Sequence, residues 1–304
     1  MRSHQFYANI KAIAWVTIGT ALFSLIFASG KFADGSATSL QILFLRYVGG
    51  ATMLLLVVAM RRERPSAYRS SKPVSHFMRA VFGASGGGAL IYASANMPII
   101  DATAIGLLYV VFVIPLGMLV LKERLSRQHL GAIATCCTGA AIIMAARGAF
   151  TAFHPAYVFP AAIAVLGAAL LAVEGLMIKM LSHADRAMTV LLYVNTFGVL
   201  LMAVPAAMQW VPLSLESAMC FVLLGPLAVT AQYCIVQGYR LASLSIVGPV
   251  DYSWLIFAGL IGFLFFGEQP TLGVVTGSAI VTAGGIMLAI IKAPSGERDS
   301  AAPA

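Results

Sequence analysis

Two carboxylates stand inside apolar stretches of this 304-residue chain: Glu174 in Ala172-Val173-Glu174-Gly175 and Asp251 in Gly248-Pro249-Val250-Asp251-Tyr252. A charge in such a setting is costly and needs a reason. Glu174 suits proton coupling or capture of a substrate amine. It equally suits a pairing with a nearby base, Lys179 or Arg186, that would lock the helices together. Asp251 follows a Gly-Pro step that interrupts helical hydrogen bonding, and irregular backbone at membrane depth is tolerated where it lines a cavity or is buried in protein. With Tyr252 and Trp254 it suits a cationic or aromatic solute, by charge pairing and stacking. The structural alternative is an interfacial aspartate flanked by aromatic anchors. Arg46 has three options: to snorkel, to pair with Asp34 or Asp101, or to bind a substrate carboxylate. Asn195, Asn96, Tyr92, Tyr109, Gln232 and Gln237 are further cavity candidates, each also suited to hydrogen bonding between helices.

Other chemistries lack their residues. Hydrolysis within a membrane needs a nucleophile with its base, or a metal pair of the His-Glu-x-x-His kind, and neither is present; the expectation is a protein that is not an enzyme. The five histidines are scattered without ligand spacing, so no metal or other cofactor is expected. The four cysteines, Cys136, Cys137, Cys220 and Cys234, read as small packing residues. Gly83–Gly88 is glycine-rich but lacks the lysine and hydroxyl residue of a phosphate loop; Gly83 and Gly87 suit close helix packing.

The elements that must position these residues are long. The chain is 60 % hydrophobic and only 10 % charged, too little charge to cover a soluble surface. Apolar runs of about 20 residues recur, the length that spans roughly 30 Å of hydrocarbon. Ten helical spans are predicted: 12–30, 39–60, 75–95, 100–121, 128–146, 156–178, 187–208, 215–237, 245–266 and 271–291. The first follows Lys11 as a signal peptide would, but no small-residue cleavage site follows it, so it reads as retained. If the N-terminus is cytoplasmic, 16 of the 19 basic residues fall in cytoplasmic segments, among them Arg61, Arg62, Arg64, Arg69, Lys72, Arg79, Lys122, Arg124 and Lys292. Lys31 and Arg147 fall outside and Arg46 within a span. This is the positive-inside bias, so the formal charge of +8 reports topology. No basic surface interleaved with aromatics points to nucleic acid.

The spans repeat. Leu121-Lys122-Glu123 closes span 4, and span 5 runs through Gly131 and Gly139. Phe266-Gly267-Glu268 closes span 9, and span 10 runs through Gly277 and Gly285. Phe44-Leu45-Arg46 with Gly49 answers Tyr193-Val194-Asn195 with Gly198. Five helices per repeat, an odd number, invert the second copy in the membrane and place a site where the halves meet. Glu123 and Glu268 read as structural, each accepting hydrogen bonds from the amides that open the next helix.

On these motifs, and on Gly248-Pro249-x-x-Tyr252, the chain over residues 10–292 resembles the drug/metabolite transporter superfamily, specifically its EamA-type ten-helix permeases. The resemblance implies a permease for small organic metabolites, in many cases an exporter of amino acids or related compounds. Nucleotide-sugar and triose-phosphate carriers are similar at greater distance.

The expectation is therefore an all-α integral membrane protein of the inner membrane, with two inverted five-helix repeats (1–148 and 149–292), cytoplasmic termini and a disordered tail over 293–304. As a secondary carrier it works by alternating access, drives transport from a gradient with protons as a possible coupling ion, and exports an amino acid or related compound. The rival expectation is uptake of a larger cofactor-like metabolite, a nucleoside derivative or vitamin.

Overall fold

A computed structural model describes residues 2–32, 37–97, 99–123, 125–151, 154–267 and 269–291. Asp34, Arg124, Glu268 and the tail from Lys292 lie outside the described residues.

Long apolar runs without two-residue alternation have one way to satisfy their backbone in lipid, and they take it as helices. These are α1 (Arg2–Phe32), α2 (Ser39–Arg61), α3 (Pro73–Asn96), α4 (Ile99–Gly106), α5 (Tyr109–Val120), α6 (Arg127–Ala146), α7 (Val158–Ala184), α8 (Ala187–Met208), α9 (Leu215–Leu241), α10 (Leu244–Val247), α11 (Ser253–Phe266) and α12 (Leu272–Ile290). Hydroxyl side chains mark several starts: Thr38, Ser126, Ser214 and Thr271 each accept a backbone N–H three residues on. Among the described residues, nine segments are long and apolar enough to cross a membrane. The predicted span missing from that set is α3, whose hydropathy is lowered by His76, Arg79 and the glycine run. Its 24 residues still give it about 36 Å of length. Outward-facing apolar side chains such as Leu119 (78 % exposed) and Leu272 (79 %) require lipid around the bundle.

Loops sort onto two faces. On the face rich in arginine, Arg186 reaches Glu63 at 3.6 Å, Ser70 donates to Asp185 at 2.6 Å, and Arg240 donates to the Asp185 carbonyl at 2.8 Å. Asn9 near the chain start donates to the Ile291 carbonyl at 3.0 Å, so α1 begins where α12 ends. On the other face Gln41 donates to the Val211 carbonyl at 2.7 Å, and the Phe150 amide donates to Asp101 at 2.6 Å.

Packing has a matching symmetry. α1 lies on α9 as α3 lies on α7; α2 packs on α9 as α8 packs on α3; α1 meets α11 as α7 meets α5. α6 and α12 cross where Gly139 and Gly277 face each other, a methyl on either falling within 2.8 Å of the other's carbonyl. These are two of the glycines that repeat in sequence. The segment before each signature glutamate also matches, since Lys122 (φ 55°) and Gly267 (φ 68°) both take the left-handed conformation.

Glu123 does something other than expected. The next helix, α6, is capped by Ser126. Glu123 instead accepts from the amides of Leu244 at 2.6 Å and Ser245 at 3.0 Å, capping α10 in the other half of the chain. A spacing argument sees only neighbours in sequence, whereas this carboxylate bridges 121 residues. Glu123→Ala strands both amides and should cost about 2 kcal/mol or more, read as a lower thermal midpoint of the detergent-purified protein.

Candidate substrate site

Two of the apolar spans are broken in the middle. α4 gives way to α5 across Leu107-Leu108, and α10 passes through a 3-10 turn over Gly248–Tyr252 before α11. Tyr109 opens α5 fourteen residues before Glu123; Trp254, in the first turn of α11, stands fourteen residues before Glu268. The breaks therefore stand at the same distance before the two Leu/Phe-x-Glu motifs.

Asp251 sits in the 3-10 turn and is held from the other half. Thr20 of α1 donates to its Oδ1 at 2.9 Å, and the Tyr109 hydroxyl donates to Oδ2 in a short hydrogen bond. Tyr252 and Trp254 do not form the expected box around it. The Tyr252 hydroxyl turns to Cys137 Sγ at 3.6 Å, and Trp254 is half-buried against the apolar core. The phenol that meets Asp251 is that of Tyr109.

Glu174 lies deeper than its predicted span end at 178 implied. α7 continues to Ala184, ten residues past the carboxylate, placing it about 15 Å from the helix end. Its partner is neither Lys179 nor Arg186. Lys179 donates to the carbonyls of Tyr239 at 2.7 Å and Ala242 at 2.6 Å, closing the end of α9, and Arg186 reaches Glu63 in a loop. Arg79 Nε of α3 approaches Glu174 Oε1 at 3.7 Å. Gly83 makes room for the carboxylate, since a methyl there would lie 2.7 Å from Glu174 Cδ. Arg46 is buried, with its guanidinium 4.5 Å from the Tyr47 ring centre, and its charge also bears on Glu174. It neither snorkels nor pairs with Asp101, whose carboxylate serves the Phe150 amide. Tyr239 is buried and lies within the electrostatic reach of Asp251, Glu174 and Arg79.

The remaining candidates stand elsewhere. Asn195 donates to Gln232 at 3.1 Å and to the Leu191 carbonyl at 2.9 Å, tying α8 to α9. Gln237 bonds Tyr233 one turn back on the same helix, at 2.7 Å. Tyr92 and Asn96 are exposed near the far end of α3, where Asn96 bonds the Tyr92 carbonyl.

Sequence reasoning missed Arg79, Thr20 and Tyr239. Arg79 was counted with the cytoplasmic cations although it falls inside the predicted span 75–95, and that position was the available signal. Thr20 and Tyr239 carry no charge and gave none.

A lipid-requiring bundle with broken helices and buried charge at its centre is a multi-pass membrane protein of the carrier kind. The chain belongs to the EamA-like transporter family, whose model matches residues 10–145 and again 159–290; this places it in the drug/metabolite transporter superfamily. It is 28 % identical to a riboflavin transporter of Rhizobium johnstonii, over 90 % of this chain and 89 % of that one. It is 25 % identical to the pseudopaline exporter CntI of Pseudomonas aeruginosa, over 88 % and 89 %. An S-adenosylmethionine uptake transporter of Rickettsia prowazekii is 20 % identical over 90 % of each. A solved crystal structure superposes with a TM-score of 0.74 over 95 % of this chain and 98 % of that one, at 18 % identity, and so shares the fold.

Proposed function

We propose that this protein is a secondary carrier of the inner membrane that moves a small organic metabolite through the seam between two inverted five-helix halves, 1–148 and 149–292, by alternating access. Two observations support ten crossings. Asn9 of α1 bonds the Ile291 carbonyl at the end of α12, as an even number of crossings would allow, and α3 is long enough to serve as the tenth beside the nine apolar segments found among the described residues. The arginine-rich face is then cytoplasmic.

The observation that carries the reading is the joining of Asp251 to Thr20 and Tyr109 across the seam, at two helix breaks in corresponding places. A carboxylate held by two hydroxyls can exchange them for an ammonium or hydroxyl group of a solute, and rocking of the halves then opens the cluster to alternate faces. This favours an amino acid or related compound. The gradient of the solute, or of protons, drives the cycle.

A second reading has its own support. Relatives named for riboflavin and S-adenosylmethionine favour a larger cofactor-like solute. The two meet in a compound such as S-adenosylmethionine, an amino-acid head on a nucleoside body. Export is the direction suggested by the Pseudomonas relative, uptake by the Rickettsia one.

Counterflow into proteoliposomes of a panel of amino acids, riboflavin and S-adenosylmethionine tests the assignment. Saturable exchange of at least one solute is expected, and the class that moves decides between the readings. If no member moves faster than in protein-free vesicles, the carrier proposal fails.

A further inference from the structure

The Asp251 cluster offers a place for a cationic or hydroxyl group. The Arg79 side of the same seam raises a different question. Arg79 is only 2 % exposed, yet among the described residues neither its Nε nor its Nη1 has a hydrogen-bond partner. The nearest anionic atom, Glu174 Oε1, stands 3.7 Å from Nε, too far for a hydrogen bond. Burying a guanidinium is costly, and the cost is recovered only when its donors are satisfied. Here the fork is buried and two of its nitrogens are left over. Glu174 keeps 21 % of its side chain exposed, against 2 % for Arg79. A second guanidinium, Arg46, lies over the Tyr47 ring and its charge bears on the same carboxylate. Two cations and one carboxylate leave this side one negative charge short.

We propose that Arg79, supported by Arg46, is the receptor for a carboxylate or phosphate group of the transported metabolite, and that Glu174 keeps its place when the site is empty. A planar anion accepts two parallel N–H bonds from one guanidinium, the geometry in which this interaction is strongest. The Glu174 carboxylate, anchored on α7, reaches the fork at the edge only. An incoming anion that is free to orient makes the bonds that Glu174 leaves unmade, and Glu174 is displaced. Gly83 keeps the cost of that arrangement low, because a side chain there would push the carboxylate away. With Asp251 receiving the cationic or hydroxyl end, the metabolite class becomes one that carries an anionic group as well. This rests on the carrier reading and narrows its substrate class.

The test is equilibrium binding to the detergent-purified full chain, with probes in matched pairs that differ in one anionic group: L-phenylalanine against L-phenylalaninamide, and riboflavin 5′-phosphate against riboflavin. In at least one pair, the wild-type protein is expected to bind the member that carries the carboxylate or phosphate about tenfold more tightly than the member that lacks it. Glu174→Gln removes the competing charge without changing shape, and should widen the preference for the member with the anionic group several-fold. Arg79→Gln should erase the preference; Arg79→Lys, which keeps the charge but loses the fork, should retain part of it. If Arg79 and Glu174 form only a structural pair, Glu174→Gln lowers the thermal midpoint and gains no anion affinity, which overturns the proposal. So does the failure of both anionic probes to bind Glu174→Gln, or an undiminished preference in Arg79→Gln. Saturable counterflow without an anion preference would sink this receptor and leave the carrier standing. An anion preference in a protein that moves nothing would do the reverse.

Discussion

Asp251→Asn is expected to reduce saturable counterflow at least tenfold while the protein still inserts and purifies normally. Asparagine keeps the shape and one carbonyl acceptor. It loses the charge that makes the bonds from Thr20 and Tyr109 charge-assisted, and such bonds carry about 1.5–3 kcal/mol each. The charge is also what would hold a cationic group of the solute in their place. Tyr109→Phe and Thr20→Ala each remove one donor to Asp251 and should produce smaller losses in the same assay. If all three variants retain wild-type flux and affinity, the solute passes elsewhere and the cluster is structural.

Gly225→Ala should have the largest effect on folding. Gly225 of α9 lies against α2 so closely that a methyl would stand 2.2 Å from the Gly50 nitrogen and 2.4 Å from the Gly49 carbonyl carbon. Both are backbone atoms, so no rotamer relieves the overlap and the helices must separate. Overpacking of this kind costs about 1–3 kcal/mol, occasionally more. The displaced segment of α2 carries Arg46, whose own carbonyl would be 2.7 Å from the methyl, so the site moves with it. A clearly lowered thermal midpoint and lost flux are expected. Gly131→Ala and Gly285→Ala face open space and serve as controls; helix propensity favours alanine there. Equal midpoints for Gly225→Ala and these controls would show that the two helices are not in contact as described.

Much of the architecture could be read directly from hydropathy, because a lipid-spanning helix needs about 20 apolar residues whatever it packs against. The predicted spans fall on the observed helices, and Gly248-Pro249 marked the break in the ninth correctly. The end of span 6 fell short because Lys179 and His183 look like a helix end, whereas Lys179 is folded inward to close α9. Gly139 and Gly277 stood out only as members of the glycine pattern, and nothing in their spacing says that they touch. The site was only partly legible. Asp251 and Glu174 announced themselves as charges out of place, but their partners come from the opposite half, 231 residues away for Thr20 and 142 for Tyr109. Local reasoning supplied near neighbours instead, Tyr252 for Asp251 and Lys179 for Glu174. Arg79 was hidden by its own plausibility as a cytoplasmic cation near a helix start.

Everything proposed for this protein depends on the two halves running in opposite senses through the bilayer. Thiol labelling from each side tests that arrangement most directly, with single cysteines at Lys122 and Gln269 in a variant lacking the four native ones. Both positions are exposed, and each adjoins a signature glutamate. Lys122→Cys should react with a membrane-impermeant reagent only in inverted vesicles, and Gln269→Cys only in intact cells. Labelling of both from the same side would contradict the inverted arrangement and remove the seam on which the proposed site is built.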